Sequence, residues 1–281
     1  MSLARPPVEA RTAARKGGGS PVTLQCTGVG VRIGTKTLLN EVTVDIPAGR
    51  LTAILGPNGA GKSTLLAVLS GLRSPSAGQV RLAGHALASV VPTDLARQRA
   101  VMQQESAVAF AFNTREVVEL GRYPHRRGVG ARDEAIVDLA MQATGVADFA
   151  DRVFQTLSGG EKARAQLARA LAQIWEPLDG DAPRWLLLDE PTAALDLAHQ
   201  HQTLRLAREW AHANGVGVIV VLHDLNLALR YADDALVLSE SSLRVHGPAA
   251  AVLTPELISE VWGVRCETAT SAQGAVQYLF A

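Results

Sequence analysis

The stretch that most limits what this chain can fold into is "GPNGAGKST", from Gly56 to Thr64. It follows the apolar run Leu51–Leu55 and precedes "LLAVLSGL", so a glycine-rich turn joins a predicted buried strand to a predicted helix. The spacing matches the G-x-x-x-x-G-K-[ST] phosphate loop, whose backbone N–H groups curl around phosphate oxygens at a helix N-terminus. The residues expected to contact a nucleotide are Gly56, Pro57, Asn58, Gly59, Ala60, Gly61, Lys62, Ser63 and Thr64.

Four side chains have expected roles at this site. Lys62 would reach the β and γ phosphates, and the Ser63 hydroxyl would ligate Mg²⁺. A second motif, "WLLLDEPT", is an apolar strand that ends in two acids, and ligands of parallel sheets bind at the carboxyl ends of the strands. We therefore expect Asp189 to hold the hydration shell of Mg²⁺ and Glu190 to act as general base toward water.

Composition narrows the class of protein. Apolar residues make up 47% and charged residues 19% of 281, which is typical of a globular protein. The formal net charge is +0, which argues against a nucleic-acid binder driven by general electrostatics. No apolar run approaches the roughly 20 residues needed to span a bilayer. Cys26 and Cys266 lack metal-ligand spacing, and we expect structural thiols rather than a disulfide.

The chain divides into segments of different pattern. Residues 1–21 are predicted to be a disordered leader, and residues 22–266 the main domain, followed by a short extension at 267–281. After Val22, short runs in which apolar and polar residues alternate predict a small antiparallel sheet. From Asp94 the apolar residues take a helical spacing, which predicts a helical subdomain inserted at about 94–172. The alternating strands and helices elsewhere predict a mainly parallel sheet that is covered on both faces.

A second helix start with the character of an anion site lies in "TLSGGEKARAQLARALA", from Thr156 to Ala172. With this segment between the phosphate loop and the acidic strand, the chain resembles the ATP-binding subunit of an ABC transporter from about Val22 to Cys266. In that family two ATPase domains pair head to tail. The resemblance implies that this signature motif contacts the ATP held by the opposite subunit, through Leu157, Ser158, Gly159, Gly160 and Glu161.

The same resemblance implies the fold and the remaining site residues. The fold class is a P-loop NTPase with a RecA-like core, an antiparallel β subdomain and an inserted α-helical subdomain. Gln104, in "AVMQQES", matches the glutamine that joins the network of Mg²⁺ and water, with Gln103 as the alternative. Asp196, in "TAALD", would reach across the dimer. His223, after "VIVVL", would sense the γ-phosphate and orient the attacking water.

Two positions depart from the family pattern. An aromatic that commonly stacks on adenine is replaced in "VRIGTK" by Ile33 or Arg32, so the base contacts stay undetermined. Lys162 stands where the family usually has glutamine after the signature motif, whereas Arg164 matches the arginine that follows. Neither change is expected to prevent ATP hydrolysis.

Finer features point to a class of importer. A single ATPase core implies a homodimer that docks on two separate permease subunits at the cytoplasmic face of the bacterial inner membrane. "GRYPHR", "LDLAHQ" and "GPAAAVLTPELISEVWGV" resemble ATPases of ferric-chelate, vitamin B12 and haem importers. The long spacer before "WLLLDEP" and the stretch "RVFQTLSGGE" are most similar to haem importers, which implies an indirect periplasmic haem-binding partner. Ferric siderophore or vitamin B12 is the alternative cargo.

A few side chains bear on two further points, namely how the chain docks on a permease and whether it binds haem itself. The helical insert offers Phe110, Phe112 and Tyr123 for docking on a permease, with internal packing as the alternative for each. His199 and His201 are two residues apart in a predicted helix, so they do not share a face and predict no haem site.

A soluble ABC ATPase of DNA repair or translation is the rival of a different class. The repair type is split around long coiled coils, and the translation type carries two tandem ATPase cores. The chain shows neither feature, and no nucleic-acid partner is expected.

Overall fold

The computed structural model describes residues 23–103, 111–125, 131–178, 182–272 and 274–281. The predicted leader at 1–21 lies outside the described residues, as do Gln104 and Phe110. Among the residues that are described, no helix combines the length and the apolarity needed to cross a membrane.

The bounds of the regular elements are as follows. The strands in chain order are β1 (Thr23–Ile33), β2 (Lys36–Pro47), β3 (Leu51–Leu55), β4 (Ala77–Leu82), β5 (His85–Ala86), β6 (Arg99–Met102), β7 (Trp185–Asp189), β8 (Gly217–Val221), β9 (Asp234–Ser239), β10 (Ser242–Pro248), β11 (Cys266–Thr270) and β12 (Val276–Phe280). The α-helices are α1 (Lys62–Leu69), α2 (Pro92–Gln98), α3 (Thr114–Glu119), α4 (Ala131–Ala143), α5 (Gly159–Gln173), α6 (Leu197–Asn214), α7 (Leu225–Tyr231), α8 (Ala249–Val252) and α9 (Pro255–Trp262). Short 3-10 helices lie at Leu87–Ser89, Leu120–His125, Ala147–Phe149 and Phe154–Thr156.

The core of the molecule is a six-stranded sheet in the order β10-β9-β3-β8-β7-β6. All neighbours in it are parallel except β9 and β10. Strands β3 and β8 are buried along their whole length, as expected for parallel strands covered on both faces. The antiparallel strands β2-β1-β4-β5 form a separate sheet. The predicted fold class, a mainly parallel core with an antiparallel subdomain, is confirmed.

One element corrects the sequence prediction. The helical pattern expected from Asp94 onward was wrong at Arg99–Met102, which forms β6 at the edge of the core sheet and pairs in parallel with β7. Four residues directly after α2 give too short a run for an alternating pattern to be recognised. The consequence for the site is direct, because Gln103 follows β6 at the same sheet edge where Asp189 ends β7.

A buried arginine, Arg122, joins parts of the helical insert to each other and to Glu176, which follows α5. The Arg122 side chain is 4% exposed and donates to Asp133 Oδ1 at 2.7 Å, to Glu176 Oε2 at 2.6 Å and to the Ala172 carbonyl at 2.7 Å. Two carboxylates and a carbonyl satisfy this guanidinium, as a buried charge requires. The contact therefore connects Leu120–His125 with the start of α4 and the end of α5.

The last residues form a hairpin that packs on the core. Tyr278 is buried, and its hydroxyl donates to the Leu253 carbonyl. Asn226 of α7 accepts from the Tyr278 N–H at 2.7 Å and donates to the Tyr278 carbonyl at 3.2 Å. Strand β11 begins at Cys266, so the hairpin starts at the predicted boundary between 266 and 267. That boundary stays a prediction.

Both cysteines are free, as the sequence predicts. Cys26 is buried in β1, and burial, with a smaller contribution from Asp45, raises the pKa of its thiol to about 12. A thiol with that pKa stays protonated at neutral pH and is a poor nucleophile.

Candidate functional site

The phosphate loop leaves strand β3 and ends at the start of α1. Gly56, Gly59 and Gly61 have φ of 148°, 81° and 99°, values that side chains disfavour. A Cβ on Gly56 would lie 2.2 Å from the Leu238 carbonyl oxygen, so only glycine fits there. Gly61 is the N-cap of α1 and supplies no side-chain cap. The first-turn N–H groups of α1 thus have no side-chain acceptor at the cap and suit an anion.

Lys62 lies inside this loop. Its side chain is buried, and Nζ donates to the Gly56 carbonyl at 2.9 Å and to the Pro57 carbonyl at 3.0 Å. Burial lowers the pKa of Lys62, whereas Glu190 and Asp189 raise it. The ammonium is therefore held on the concave backbone that would surround a phosphate.

The acidic strand end meets the phosphate loop. Ser63 Oγ donates to Asp189 Oδ1 at 3.0 Å, which joins two segments 126 residues apart. Burial raises the pKa of Asp189, and Glu190 raises it further, while the Ser63 hydrogen bond, Lys62 and His223 lower it. A hydroxyl and a carboxylate oxygen stand side by side here, and these are hard ligands of the kind that Mg²⁺ prefers.

Glu190 and His223 form the second contact of the site. Glu190 Oε1 lies 2.5 Å from His223 Nε2, and the two residues follow the neighbouring strands β7 and β8. The Glu190 side chain is 14% exposed and that of His223 45% exposed, so the carboxylate is the more enclosed partner. Glu190 has a φ of 50°, a left-handed conformation that costs a non-glycine residue on the order of 1 kcal/mol and is found preferentially at functional sites.

The signature motif begins helix α5. Ser158 is its N-cap, and its Oγ accepts from the Glu161 N–H at 3.3 Å while Glu161 Oε2 accepts from the Ser158 N–H at 2.7 Å. Ser158 and Gly159 are exposed. In the described ranges, the hydrogen bonds of the Ser158 side chain go to Glu161 and to no residue of Gly56–Thr64. Within the described part of the chain, the Ser158 hydroxyl is thus engaged by its own helix and not by the phosphate loop.

The remaining predicted site residues, Asp196 and Gln104, are not among the contacts described above. Asp196 caps α6, where its carboxylate accepts from the His199 N–H at 2.9 Å, and its side chain is 66% exposed. It faces solvent. Gln104 lies outside the described residues. Its alternative Gln103 is exposed and lines a cavity of about 240 Å³ together with Asp189 and Glu190.

The structure also gives the exposure of the side chain that departs from the family pattern and of those in the predicted docking segment. Ile33, which stands where the family commonly has an aromatic, is 54% exposed at the end of β1. Tyr123 is 71% exposed. Phe112 is partly buried and packs against the apolar cluster that contains Val117 and Phe154, so internal packing is the outcome for Phe112. Phe110 lies outside the described residues.

The two histidines of α6 have separate partners. His199 contacts Asp196, while His201 Nδ1 lies 2.7 Å from the Tyr231 hydroxyl. Within the described part of the chain, no cluster of three or more His, Cys, Asp or Glu side chains could hold a metal ion.

Sequence reasoning missed one residue at this site. Gln166 lies on α5 in the cavity that contains Asp189 and Glu190, and it is 4% exposed. The available signal was a glutamine within the apolar stretch "AQLARALA" of a helix, where polar residues are uncommon.

Comparison with known proteins places this geometry in a family. The family model described as ABC transporter matches residues 39–193. A hemin import ATP-binding protein HmuV of Gloeobacter violaceus is 52% identical over 86% of this chain and 88% of the relative. Another HmuV, of Methylobacillus flagellatus, is 45% identical over 86% of this chain and 90% of its own length. A solved structure described as an inward-facing metal-chelate type ABC transporter has a TM-score of 0.76 at 25% identity, over 92% of this chain and 97% of that chain. The chain therefore belongs to the ABC transporter family.

Proposed function

We propose that this chain is the ATP-hydrolysing subunit of an ABC importer that powers haem uptake through a separate permease. The observation that carries the proposal is the convergence of three distant segments at one sheet edge. Ser63 contacts Asp189 at 3.0 Å, and Glu190 contacts His223 at 2.5 Å. A phosphate loop, an acid beside it for the metal, and a residue that positions the attacking water are the recurring parts of sites that hydrolyse nucleotides.

The donor atoms fit Mg²⁺ beside the bound nucleotide. Ser63 Oγ and Asp189 Oδ1 are adjacent oxygens, and Asp189 is a carboxylate whose pKa is raised by burial, so a cation there would favour its ionised form. Ser63 and Asp189 would hold the ion, with Gln104 as the further ligand that the family resemblance implies. When bound, Mg²⁺ neutralises charge on the β and γ phosphates.

The chain's own groups supply the remaining chemistry. Water attacks the γ-phosphorus, the bond to the β–γ bridging oxygen breaks, and ADP and phosphate leave. Glu190 accepts a hydrogen bond from the attacking water and takes its proton. His223 Nε2, which already contacts Glu190 Oε1, keeps that carboxylate and the water aligned. The Lys62 ammonium is held by the carbonyls of Gly56 and Pro57, and its positive charge would attract the phosphate oxygens that enter the loop.

Asp189→Asn is expected to raise the stability of the protein in the absence of magnesium. Because burial raises the pKa of Asp189, the folded protein binds this proton more tightly than the unfolded chain does. Such a group contributes stability below its ordinary pKa of 3.8 and loses it as the pH rises through the folded value. Ionised Asp189 thus opposes folding at pH 7.5. Urea unfolding with EDTA should show a higher midpoint for the variant at pH 7.5, and a smaller gain at pH 3.8, the ordinary pKa of the carboxyl.

Asp45→Asn is the control for that measurement, because Asp45 is an exposed carboxylate on β2. Its midpoint should stay near that of wild type at both pH values. A lower midpoint for Asp189→Asn at pH 7.5 would mean that the Ser63 contact outweighs the burial of the carboxylate.

The position of the signature motif supports a homodimer. Ser158 and Gly159 are exposed at a helix N-terminus, which can bind an anion, and among the described residues the Ser158 hydroxyl is hydrogen-bonded to Glu161 and not to the phosphate loop. In a head-to-tail pair, each signature motif would close over the ATP of the other subunit, and the exposed Asp196 would reach across. Tyr123, 71% exposed on the helical insert, is the residue offered to a permease subunit. Two such permeases would hold the dimer at the cytoplasmic face of the bacterial inner membrane.

Haem is the cargo that the relatives support. Relatives at 45% to 52% identity bear the name hemin import ATP-binding protein. The two histidines of α6 are hydrogen-bonded to Asp196 and Tyr231, and neither is offered as a ligand for haem iron. Cargo selection would therefore belong to the permease and a periplasmic haem-binding protein. A structural neighbour described as metal-chelate type makes ferric siderophore or vitamin B12 the alternative cargo.

Uptake into proteoliposomes tests the proposal. The chain is reconstituted with its co-purifying permease, and haem, a ferric siderophore and vitamin B12 are offered on their binding proteins. We expect ATP-dependent entry of haem, which Glu190→Gln abolishes. Siderophore or vitamin B12 entry without haem would overturn the cargo and keep the importer. Co-purification with ribosomes or DNA and no membrane association would overturn the importer itself.

A further inference from the structure

A buried amide without a partner lies behind the candidate catalytic acids. Gln166 is 4% exposed on α5, and neither its Nε2 nor its Oε1 has a hydrogen-bond partner among the described residues. Buried polar side chains are nearly always hydrogen-bonded, and an unpartnered one in a folded protein requires an explanation. A methionine or leucine would fill this position in a helix without that cost.

Gln166 lines a cavity that also contains the two candidate acids, while its amide atoms are buried. This cavity of about 240 Å³ lies between α5 and the carboxyl ends of β6 and β7, and its lining includes Gln103, Gln166, Asp189 and Glu190. The volume is several times that of one water molecule, and its polar groups can supply the partners that a buried water needs. The cavity is therefore suited to ordered water.

We infer that Gln166 is a positioning residue for ATP hydrolysis, whose amide holds water in this cavity against the carboxylates of Asp189 and Glu190. The inference rests on the proposed function. An amide can donate two hydrogen bonds and accept two, so a single Gln166 can hold a water on each side. Water held against the far side of a carboxylate fixes the orientation of that carboxylate, as outer-shell groups do at many catalytic sites.

The helix that carries Gln166 also begins with the signature motif. Gly159, Lys162, Ala163 and Gln166 all line the cavity, and their spacing of three and four residues places them on one face of α5. A shift of α5, when Ser158 binds the partner's ATP, would therefore move the Gln166 amide relative to this chain's own acids.

Gln166→Met tests the inference, because it keeps the length of the side chain and removes the amide. We expect kcat for ATP hydrolysis to fall about tenfold, the usual effect of losing an outer-shell contact, with KM for ATP within about twofold. The unfolding midpoint should not fall, since the lost groups have no partners within the protein. Gln166→Asn, which retains an amide, should lose less of the rate than Gln166→Met.

The matched control is Gln173→Met on the same helix. The Gln173 amide is hydrogen-bonded to the Ala96 carbonyl at 2.6 Å and the Arg99 carbonyl at 2.9 Å, so its loss should lower the unfolding midpoint and leave kcat within about twofold. The positioning role would be overturned if Gln166→Met kept the wild-type kcat, or if the Met and Asn variants lost the same amount of rate. It would also be overturned if Gln166→Met had a lower unfolding midpoint or failed to fold. Wild-type protein without ATPase activity would instead overturn the proposed function.

Discussion

Glu190→Gln is expected to lower the rate of ATP turnover by about 10²- to 10⁴-fold, the usual contribution of a general base. Glutamine has nearly the same shape and can keep a hydrogen bond to His223 Nε2, now 2.5 Å from Glu190 Oε1, but it cannot accept the proton of the attacking water. The affinity for ATP should change little, because the expected phosphate contacts come from the loop and Lys62. The slow step should therefore be chemistry, with ATP retained on the protein.

The measurement is single-turnover hydrolysis of radiolabelled ATP, with ATP affinity from a fluorescent analogue in the same buffer. Glu240→Gln is the matched control. Glu240 is an exposed glutamate with a φ of 49°, against 50° for Glu190, so both variants place glutamine in the same strained backbone. Glu240→Gln should turn over at the wild-type rate. Turnover near wild type in Glu190→Gln would remove Glu190 from the role of base.

Ser158→Arg is expected to abolish ATP-driven dimerisation and, with it, ATP turnover. Ser158 is exposed at the start of α5, where a small hydroxyl and the neighbouring N–H groups can approach a phosphate of the partner's ATP. An arginine side chain would fill the space that the partner's ATP must enter. It would also remove the cap of α5, which costs roughly 1 kcal/mol of stability and has to be separated from the effect on the dimer.

Asn113→Arg provides that separation. Asn113 and Glu116 form the same capping box on α3, with the Asn113 N–H donating to Glu116 Oε2 at 2.7 Å and Asn113 Oδ1 accepting from the Glu116 N–H at 2.8 Å. Both variants should lose similar stability, but only Ser158→Arg should lose the dimer.

The dimer is best measured in the Glu190→Gln background, where bound ATP persists. Light scattering of that protein should show a dimer with Mg-ATP and a monomer when Ser158→Arg is added. A dimer that persists with Ser158→Arg would contradict the shared site, since each ATP would then be held by one subunit alone.

Much of the site follows from short stretches of sequence. The phosphate loop was predictable because each glycine is required locally: the φ values at Gly56, Gly59 and Gly61 are left-handed or otherwise disfavoured for side chains, and Lys62 starts a helix. The strand "WLLLD" was predictable because a wholly apolar run before two acids is typical of a buried parallel strand. The capping box of Ser158 and Glu161 has a fixed spacing of three residues and could also be identified from sequence.

Other features depend on contacts that no short stretch of sequence contains. Strand β6 is four residues long and exists because it pairs with β7, which a window of sequence does not contain. The burial of Gln166 depends on how α5 lies against the ends of β6 and β7.

The sequence by itself determined the local devices of this protein, namely the glycine loop, the acidic strand end and the signature helix, because each depends on backbone conformation within a few residues. Only the tertiary structure decided which of them meet. Ser63 and Asp189 are 126 residues apart, and Glu190 and His223 are 33 apart. Their contacts depend on the strand order β3-β8-β7, which places the ends of three separate strands at one edge of the sheet.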